Sequence, residues 1–310
     1  MLTLFSIPKP FRGHVGVIQR NAIQSWTLIR PRPEIILFGD EDGAAEVARF
    51  FGVRHVPEVA RNEYGTPLLS DLFGQAQRVA TYDLFCYANA DIILMSDFVE
   101  ALQRVAYWRR PFLMVGQRWD LEIGEPLGFS SGWESKLTAH VLAQGVLHPP
   151  TGIDYFVFPR GMWRDIPPFA IGRTVWDNWL IYQARAMRVP VVDATRSLMA
   201  VHQAHDYLHV PAKAGDVWDG PEAKRNLQLA GGWRHVFTLE DATHVLRRGR
   251  PRLAVSLKHL QRRLKTLPTL YSSLKPLTIL ARPFVLALRR VWSSSKKAHS
   301  DREAGLDARQ

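Results

Sequence analysis

Short apolar runs alternate with amphipathic stretches along the first 115 residues of the chain. Apolar runs bounded by turn residues are typical of strands in a covered sheet, and apolar positions three and four residues apart are typical of helices. The runs predict strands at residues 3–7, 34–38, 53–56, 83–94 and 111–115. The amphipathic stretches predict helices at residues 14–28, 44–51 and 67–80, with Pro67 in a first turn, and a fourth helix capped by Ser96. This alternation is typical of a mostly parallel sheet covered by helices on both faces.

The second half of the chain is less regular. Its pattern predicts a turn-rich approach to a strand at residues 148–158, a helix from 174 to 188, and short strands at 189–193 and 198–202. Ligands of open parallel sheets bind at the carboxyl ends of the strands. Polar residues at those ends are therefore the first candidates for function.

Acidic and amide side chains occur at two such ends. Asp40 follows the second strand, and Asn89 and Asp91 interrupt the buried run that precedes residue 95. Burying two polar side chains there costs free energy unless they are paired, so we expect them to belong to a site. A divalent cation that holds a diphosphate needs only one or two carboxylates, because waters and phosphate oxygens complete its coordination. The alternative for Asp40 is that it shapes a turn between Gly39 and Gly43.

Charge divides the chain into two parts. The 310 residues include 40 Lys and Arg and 29 Asp and Glu, but residues 247–310 hold 16 of the basic residues and 3 of the acidic ones. The first 246 residues are therefore slightly acidic, which disfavours nucleic acid as a partner of that part. We predict a folded domain at 1–246, a basic helical tail at 247–292 and a disordered end at 293–310.

The tail carries leucines at helical spacing with basic residues beside them. These leucines are Leu253, Leu257, Leu260, Leu264 and Leu267. A basic amphipathic helix favours an anionic membrane surface, here through residues 253–292. Docking on the chain's own domain or on a partner helix is the alternative, with nucleic acid third. No run is long enough to predict a membrane-spanning helix.

The cellular compartment is indicated by the cysteine count and by the N-terminal residues. Cys86 is the single cysteine, so no internal disulfide can form, in agreement with a reducing compartment. The N-terminal residues do not have the pattern of a signal peptide. The expectation is a cytoplasmic protein, peripheral at the inner face of a membrane.

Four motifs occur in the order in which the GT-A glycosyltransferases have them. Asn89-Ala-Asp91 resembles their D-x-D metal motif, and Thr151-Gly152-Ile-Asp154 is similar to their glycine-containing acceptor loop. Trp176-Asp177-Asn178 resembles their x-E-D helix start, and His202 is similar to their C-terminal metal histidine. The resemblance covers residues 1–246. It implies an α/β protein with a GT-A (Rossmann-like) three-layer αβα sandwich, to which the helical tail is added.

The resemblance also implies a reaction and a set of site residues. The reaction is metal-assisted, inverting transfer of a sugar from a nucleoside-diphosphate sugar to a hydroxyl of a glycan or lipid-linked acceptor, in polysaccharide or glycolipid synthesis. Asp91 and His202 would bind Mn²⁺ or Mg²⁺, and Asp177 would be the general base. The donor residues would be Ser6, Asp40, Asn62 and Asn89. The acceptor residues would be Gly152, Trp176 and Asn178.

Two departures from the family leave alternatives open. The first acid of the metal motif is replaced by Asn89, so the metal site has one carboxylate fewer. The base of the family aligns with either Asp177 or Asn178, and without a base there, a retaining reaction or Asp154 as the base would follow. A catalytically inactive nucleotide- or glycan-binding module held at a membrane by its tail is the second hypothesis, and Asn89 is its main support.

Other classes are disfavoured by the sequence. A sugar-phosphate nucleotidyltransferase would have a glycine-rich, arginine-containing loop after its first strand, and the chain has none there. Neither the P-loop motif nor the dinucleotide motif occurs. His202, His205 and His209 suggest zinc, but structural zinc sites usually have four close nitrogen or sulfur ligands, and no cysteine lies near.

Overall fold

A computed structural model of the chain describes residues 1–109, 111–204, 216–271 and 273. The chain divides into two compact units, Met1–Ala254 and Val255–Gln310. The boundary predicted after residue 246 falls within a strand hairpin of the first unit, which ends instead at Ala254. The segment predicted to be disordered, residues 293–310, lies outside the described residues.

Strands and helices alternate through the first unit. The strands are β1 (Thr3–Ser6), β2 (Glu34–Phe38), β3 (Arg54–Val56), β4 (Leu84–Ala88), β5 (Ile92–Ile93), β6 (Leu113–Val115), β7 (Arg118–Glu122), β8 (Val146–Leu147), β9 (Tyr155–Pro159), β10 (Val191–Asp193), β11 (Ala200–Ala204), β12 (His244–Arg247) and β13 (Arg250–Leu253). The helices are α1 (Gly13–Leu28), α2 (Ala44–Phe51), α3 (Leu69–Val79), α4 (Ser96–Trp108), α5 (Trp133–Gln144), α6 (Trp176–Ala186), α7 (Asp216–Asp219) and α8 (Pro221–Leu229). The second unit contains α9 (Leu257–Leu270).

Among the residues that the structure describes, nine strands form the main sheet, in the order β13-β12-β10-β6-β9-β4-β1-β2-β3. Neighbouring strands are parallel except where β9 lies between β4 and β6 and where β13 pairs with β12. A second sheet has the order β5-β11-β7-β8. The single strand predicted at 83–94 is therefore two strands, because the chain turns after Ala88 and β5 pairs with β11 of the second sheet. This second sheet was not predicted.

Both faces of the main sheet are buried. On one face, Leu4, Leu37 and Cys86 belong to a core cluster with apolar residues of α1, α2 and α4. On the other face, the Phe5 ring contacts Phe73 of α3 edge to face at a centroid distance of 5.2 Å. Burial of each such side chain contributes about 1.5–3 kcal/mol. The predicted three-layer αβα architecture with a mostly parallel central sheet is confirmed.

Two local predictions at helix starts are wrong. The N-cap of α4 is Met95, and Ser96 instead donates its hydroxyl and its backbone N–H to Glu134 of α5. A carboxylate from a neighbouring helix therefore satisfies this helix end, which sequence alone does not reveal. Pro67 lies before α3 and forms an isolated β-bridge with Arg61.

The predicted basic helix of the tail is present as α9. Leu257 and Leu260 are 40% and 53% exposed, and Lys258 is exposed beside them. Leu253 belongs to β13, so the leucine stripe of the helix begins at Leu257. The later part of the predicted tail, from residue 274, lies outside the described residues. Within the described part of the chain, no helix is long and apolar enough to cross a membrane.

Asp97 in the first turn of α4 makes stability depend on pH. One of its carboxylate oxygens accepts the Met199 N–H at 2.7 Å, whereas the other is buried and has no hydrogen-bond partner in the described part of the chain. Burial raises the pKa of Asp97 to about 6, and the charge of Glu134 adds to the effect. The folded state therefore holds this proton more tightly than the unfolded chain, and ionisation costs stability as the pH rises through 6.

Asp97→Asn removes that cost. We expect the variant to be more stable than the wild type at pH 8 by on the order of 2 kcal/mol, and the difference to shrink below about pH 4, where the native carboxyl is protonated in both states. Urea denaturation at both pH values measures it. Glu46→Gln, an exposed acid in the first turn of α2, is the matched control. A stability difference that does not vary with pH would contradict the assignment.

Candidate active site

The ends of three neighbouring strands bring the predicted polar residues to one edge of the main sheet. In the parallel register, Ser6 of β1 lies opposite Leu37 of β2, and Phe5 lies opposite Tyr87 of β4. The segments that contain Asp40 and Asn89 therefore leave the sheet at the same edge as Ser6.

Tyr87 at the end of β4 marks the centre of the site. Its hydroxyl donates to Asn89 Oδ1 at 3.1 Å. Burial raises the pKa of Tyr87, and the negative charges of Asp91, Asp154 and Asp177 raise it further. These three carboxylates come from three separate segments, and the charge of each contributes to the raised pKa of this one hydroxyl. Acids that are far apart in the sequence, and that the motifs predicted to act in one site, therefore act on the same residue in the fold.

Asp91 and His202 form the candidate metal pair. Asp91 directly precedes β5, whose Ile92 pairs with His202 of β11, and His202 Nε2 lies 3.9 Å from Asp91 Oδ2. Two ligand atoms that are each about 2.1 Å from one ion are at most about 4.2 Å apart, so this separation fits a shared Mn²⁺ or Mg²⁺. The described residues contain no group of three or more His, Cys, Asp or Glu that could hold a metal. The pair fits a cation whose remaining ligands are waters and substrate oxygens.

Asp154 is paired on both carboxylate oxygens. Asn89 Nδ2 donates to Oδ1 at 2.6 Å, and Arg118 Nη1 donates to Oδ2 at 2.7 Å. Asp154 is 6% exposed, and its backbone C=O accepts the Asn89 N–H at 2.9 Å. These contacts fasten the metal-motif turn to the start of β9. They disfavour Asp154 as a base. They also engage the Asn89 side-chain amide in a hydrogen bond inside the protein.

Asp177 lies in the first turn of α6 and is half-buried. Burial raises its pKa to about 7, the charge of Asp154 adds to this, and the N–H of Asn178 opposes it. The helix is entered through Val175, whose φ of 90° is rare for a β-branched residue and costs backbone strain. A carboxylate with a pKa near neutrality, next to a strained backbone, is typical of a proton-transfer site.

Asn178 is occupied by the backbone. Its side-chain amide donates to the Phe237 carbonyl at 2.7 Å and to the Thr151 carbonyl at 3.3 Å. An amide that ties two loops to a helix is suited to positioning. Of the two alignments left open by the sequence, this arrangement favours Asp177 as the base.

The other two predicted acceptor residues have different environments. Gly152 lies beneath the His148 ring, and a Cβ there would come within 2.3 Å of His148 Cδ2. Trp176 is only 5% exposed and packs against Tyr87 and Phe156, with ring centroids 5.6 Å apart in both cases. The side chain is buried in the core, so the prediction that Trp176 offers a platform to the acceptor is wrong. Its flanking of Asp177 in sequence reflects the amphipathic pattern of the helix.

Gly152→Ala tests the close approach at the acceptor loop. Because Asp120 accepts a hydrogen bond from the His148 ring at 2.6 Å, the ring cannot swing away from an added methyl group without losing it. We expect a loss of about 1–3 kcal/mol in the free energy of unfolding. Urea denaturation measures this, with Gly128→Ala as control, since nothing lies within 4 Å of a Cβ at Gly128. Equal stability of the two variants would contradict the packing.

The predicted donor residues also lie in different environments. Asp40 is exposed, and a hydrogen bond from Arg61 Nη2 at 2.6 Å, together with the Arg61 charge, lowers its pKa. The Asn62 side chain accepts the N–H groups of Tyr64 and Thr66 and so shapes its own loop. Ser6 is fully buried and donates to the Ala88 carbonyl at 2.6 Å, so the prediction that it binds the donor is wrong.

Asn62 also links its loop to another part of the chain. Its Nδ2 donates to Glu222 Oε1 of α8 at 2.6 Å, and Arg173 Nη2 lies 2.6 Å from Glu222 Oε2. Asn62 therefore acts as an anchor of the loop that follows β3. Asp40 is the predicted donor residue that remains open to a ligand at this edge.

Sequence reasoning missed the polar residues of β7. Asp120 accepts hydrogen bonds from His202 Nδ1 at 2.9 Å, His148 Nδ1 at 2.6 Å and Arg118 Nε at 2.9 Å. Burial opposes ionisation of Asp120, but the two histidine hydrogen bonds and the Arg118 charge outweigh it and lower its pKa. The alternation of polar and apolar residues over 118–122 could have predicted this strand. His205 and His209 of the zinc hypothesis lie outside the described residues.

A cavity of about 370 Å³ lies away from these residues. It is lined by the C-terminal end of β9, the turn that follows it and the end of α6, and includes Trp163 and Gln183. Pro159 pairs with Leu84 at the start of β4, so the cavity is at the opposite edge of the sheet. None of the predicted site residues lines it. The candidate site at the carboxyl edge is therefore separate from this cavity.

Comparisons with known proteins give similarities in structure only. No family model matches the chain, and no curated protein matches its sequence. The chain is similar to glucosyl-3-phosphoglycerate synthase of Mycobacterium tuberculosis, at 14% identity, 75% coverage of this chain, 81% of that chain and a TM-score of 0.46. For the same protein in complex with Mn²⁺, UDP-glucose and phosphoglyceric acid, the values are 14%, 75%, 80% and 0.46. A mycobacterial protein matches at 14% identity, 75% coverage of each chain and a TM-score of 0.46. At these values the case for a function rests on this chain's own residues.

Proposed function

We propose that the chain is a metal-assisted glycosyltransferase that moves a sugar from a nucleoside-diphosphate sugar to an acceptor hydroxyl. The observation that carries the proposal is that the segment of the metal pair and the start of α6 meet at Tyr87. The Tyr87 hydroxyl donates to Asn89, two residues before Asp91, and its ring packs on Trp176, the neighbour of the candidate base Asp177. A sugar transfer needs these two functions within the length of one sugar diphosphate. The motif order in the sequence supports the same reaction.

The donor side follows from Asp91, His202 and Asp40. Asp91 Oδ2 and His202 Nε2 are the atoms that would hold the cation. When bound, a divalent cation supplies positive charge that stabilises a departing diphosphate. Asp40 is exposed at the same edge and presents a carboxylate to the hydroxyl or N–H groups of a nucleoside.

The acceptor side follows from Asp177. Its carboxylate accepts the proton of the acceptor hydroxyl while that oxygen forms a bond to the anomeric carbon and the bond to the diphosphate breaks. One displacement of this kind inverts the configuration at the anomeric carbon, so we propose an inverting reaction. The pKa of about 7 makes the carboxylate a stronger base than an exposed Asp while it remains ionised in about half of the molecules at neutral pH.

Release of the nucleoside diphosphate tests the proposal. The full chain is incubated with a panel of UDP- and GDP-sugars in Mn²⁺ or in EDTA, with simple glycosides as acceptors. We expect one nucleotide class to be released in Mn²⁺, and this release to fall at least about a hundredfold in Asp91→Ala. The anomeric configuration of the product, read by NMR, decides between inversion and retention. Release that is equal in EDTA would contradict the metal assignment.

The setting we propose is polysaccharide or glycolipid synthesis at an anionic membrane surface. Support comes from α9, where exposed Leu257 and Leu260 lie beside Lys258, and from the absence of Asp and Glu between residues 247 and 300. Flotation with vesicles that contain phosphatidylglycerol tests it. We expect Leu257→Ser/Leu260→Ser to float less than the wild type, and Leu142→Ser, which alters an exposed leucine of α5, to float equally. Equal flotation of all three proteins would remove the membrane role.

A second candidate is a catalytically inactive module that binds a nucleotide or glycan. Asn89 favours it, because its amide is used by Asp154 and Tyr87 and adds no charge to the metal pair. Binding of a nucleoside diphosphate with the same affinity in Mn²⁺ and in EDTA, without turnover of any donor, would favour this module.

A further inference from the structure

Asp120 joins two histidines that come from different parts of the chain. In the second sheet, β7 pairs with β11 so that Asp120 lies directly opposite His202, and pairs with β8, which leads into His148. Asp120 Oδ1 accepts from His202 Nδ1 at 2.9 Å, and Oδ2 is 2.6 Å from His148 Nδ1. Arg118 Nε donates to Oδ1 at 2.9 Å. The carboxylate is thus held from three sides.

The bond to Asp120 fixes the orientation of His202. With Nδ1 on Asp120, Nε2 is the ring nitrogen on the side of Asp91, 3.9 Å from Oδ2. His202 is 7% exposed, so the ring has little room to rotate. A carboxylate on the far nitrogen of a metal-binding imidazole fixes its tautomer and increases its basicity toward the metal.

We propose that Asp120 is a positioning residue of the metal site. Its negative charge lies behind His202 and compensates for the carboxylate that Asn89 does not supply. This inference rests on the proposed metal role of Asp91 and His202. Negative charge placed behind the histidine strengthens its bond to a cation, whereas the Asn89 amide in the motif contributes no charge.

The other carboxylate oxygen of Asp120, Oδ2, connects the metal site to the loop that is similar to the acceptor loop. Asp120 holds the His148 ring, and that ring packs on Gly152, where a Cβ would lie 2.6 Å from His148 Nε2. The histidine of the metal pair and the loop similar to the acceptor loop therefore share one carboxylate. Asp120 sets the position of both.

Titration of the full chain with Mn²⁺ alone, with free Mn²⁺ measured by electron paramagnetic resonance, tests the proposal without turnover. We expect Asp120→Asn to weaken Mn²⁺ binding about ten- to a hundredfold. The matched control is Glu122→Gln, which removes the same charge two residues along β7 from an exposed side chain and is expected to change the affinity by less than about twofold. Asp120→Glu retains the charge and is expected to lie between the wild type and Asp120→Asn, which keeps the test valid if the asparagine variant does not fold.

A double-mutant cycle shows whether Asp120 acts through His202. If it does, Asp120→Asn adds no further loss to His202→Ala. An equal loss in both backgrounds, or an unchanged affinity in both Asp120→Asn and Asp120→Glu, would overturn the proposal while leaving the proposed function intact. A wild type that binds Mn²⁺ no better than Asp91→Ala would instead overturn the metal site itself.

Discussion

Asp177→Asn is expected to lower kcat about a hundred- to ten-thousandfold, the range that a positioned general base contributes. The substitution keeps the shape of the side chain in the first turn of α6 and removes its ability to accept a proton. Because burial raises the pKa of Asp177 to about 7, wild-type activity should rise with pH through this value and then level off. In the asparagine variant the residual activity should no longer follow that titration. Nucleotide release measured from pH 5 to 9 gives both results.

Asp177→Asn should raise the stability of the protein, although it lowers kcat. The folded state holds the Asp177 proton more tightly than the unfolded chain, so the ionised form costs stability above about pH 7 and the cost disappears as the pH falls below the unfolded pKa. Asp177→Asn should therefore melt at a higher temperature than the wild type at pH 8. Asp165→Asn, the same change at an exposed acid on the far edge of the sheet, is the control and should alter neither activity nor melting. A variant that keeps most of its kcat would exclude Asp177 as the base.

Asp91→Ala and His202→Ala should each lower Mn²⁺-dependent activity at least about a hundredfold, comparable to the loss of one electrostatic contact to a transition state. His202 Nε2 and Asp91 Oδ2 are 3.9 Å apart and belong to different segments, so removing either side chain leaves one member of the pair. Raising the Mn²⁺ concentration should restore part of the activity in both variants. Activity against Mn²⁺ concentration is the measurement.

The control for this pair is Asp165→Ala, which removes an exposed carboxylate from the opposite edge. It should leave the Mn²⁺ dependence as in the wild type. If Asp91→Ala and His202→Ala retain wild-type Mn²⁺ dependence, the cation, if used, binds elsewhere. Activity lost in Asp91→Ala alone would place His202 outside the metal site.

The main sheet could be predicted because its strands are buried on both faces and its helices are amphipathic. Runs such as 35–38 and 111–115 are apolar throughout, and that composition is typical of a covered parallel strand. The second sheet was missed because β5 and β8 have two residues each, too short for a periodic pattern. With it, the supporting role of Asp120 was missed, since that role depends on a pairing across the second sheet.

The sequence predicted site residues whose assignment depends on side-chain chemistry. It did not predict which candidates packing and pairing would remove from the site. The resemblance to the glycosyltransferase motifs predicted Asp91 and His202 as a metal pair, and the structure places the two side chains as neighbours. Ser6 and Trp176 look equally suited to a ligand in the sequence, but sheet and helix packing bury both. Asp154 looked like an alternative base until its two partners, Asn89 and Arg118, were seen. Whether a given side chain of the site is buried or paired depends on tertiary packing, and the sequence around that residue does not reveal it.

The most direct test of the central claim is a thermal-shift titration of the full chain with UDP, GDP, their sugar conjugates and NAD, each with and without Mn²⁺. A ligand that binds the folded state raises the melting temperature by mass action. We predict that one nucleoside diphosphate stabilises the wild type only in Mn²⁺, that Asp91→Ala loses this shift, and that NAD has no effect. If no nucleotide stabilises the protein in either condition, the carboxyl edge of the sheet is not a metal-assisted nucleotide-sugar site.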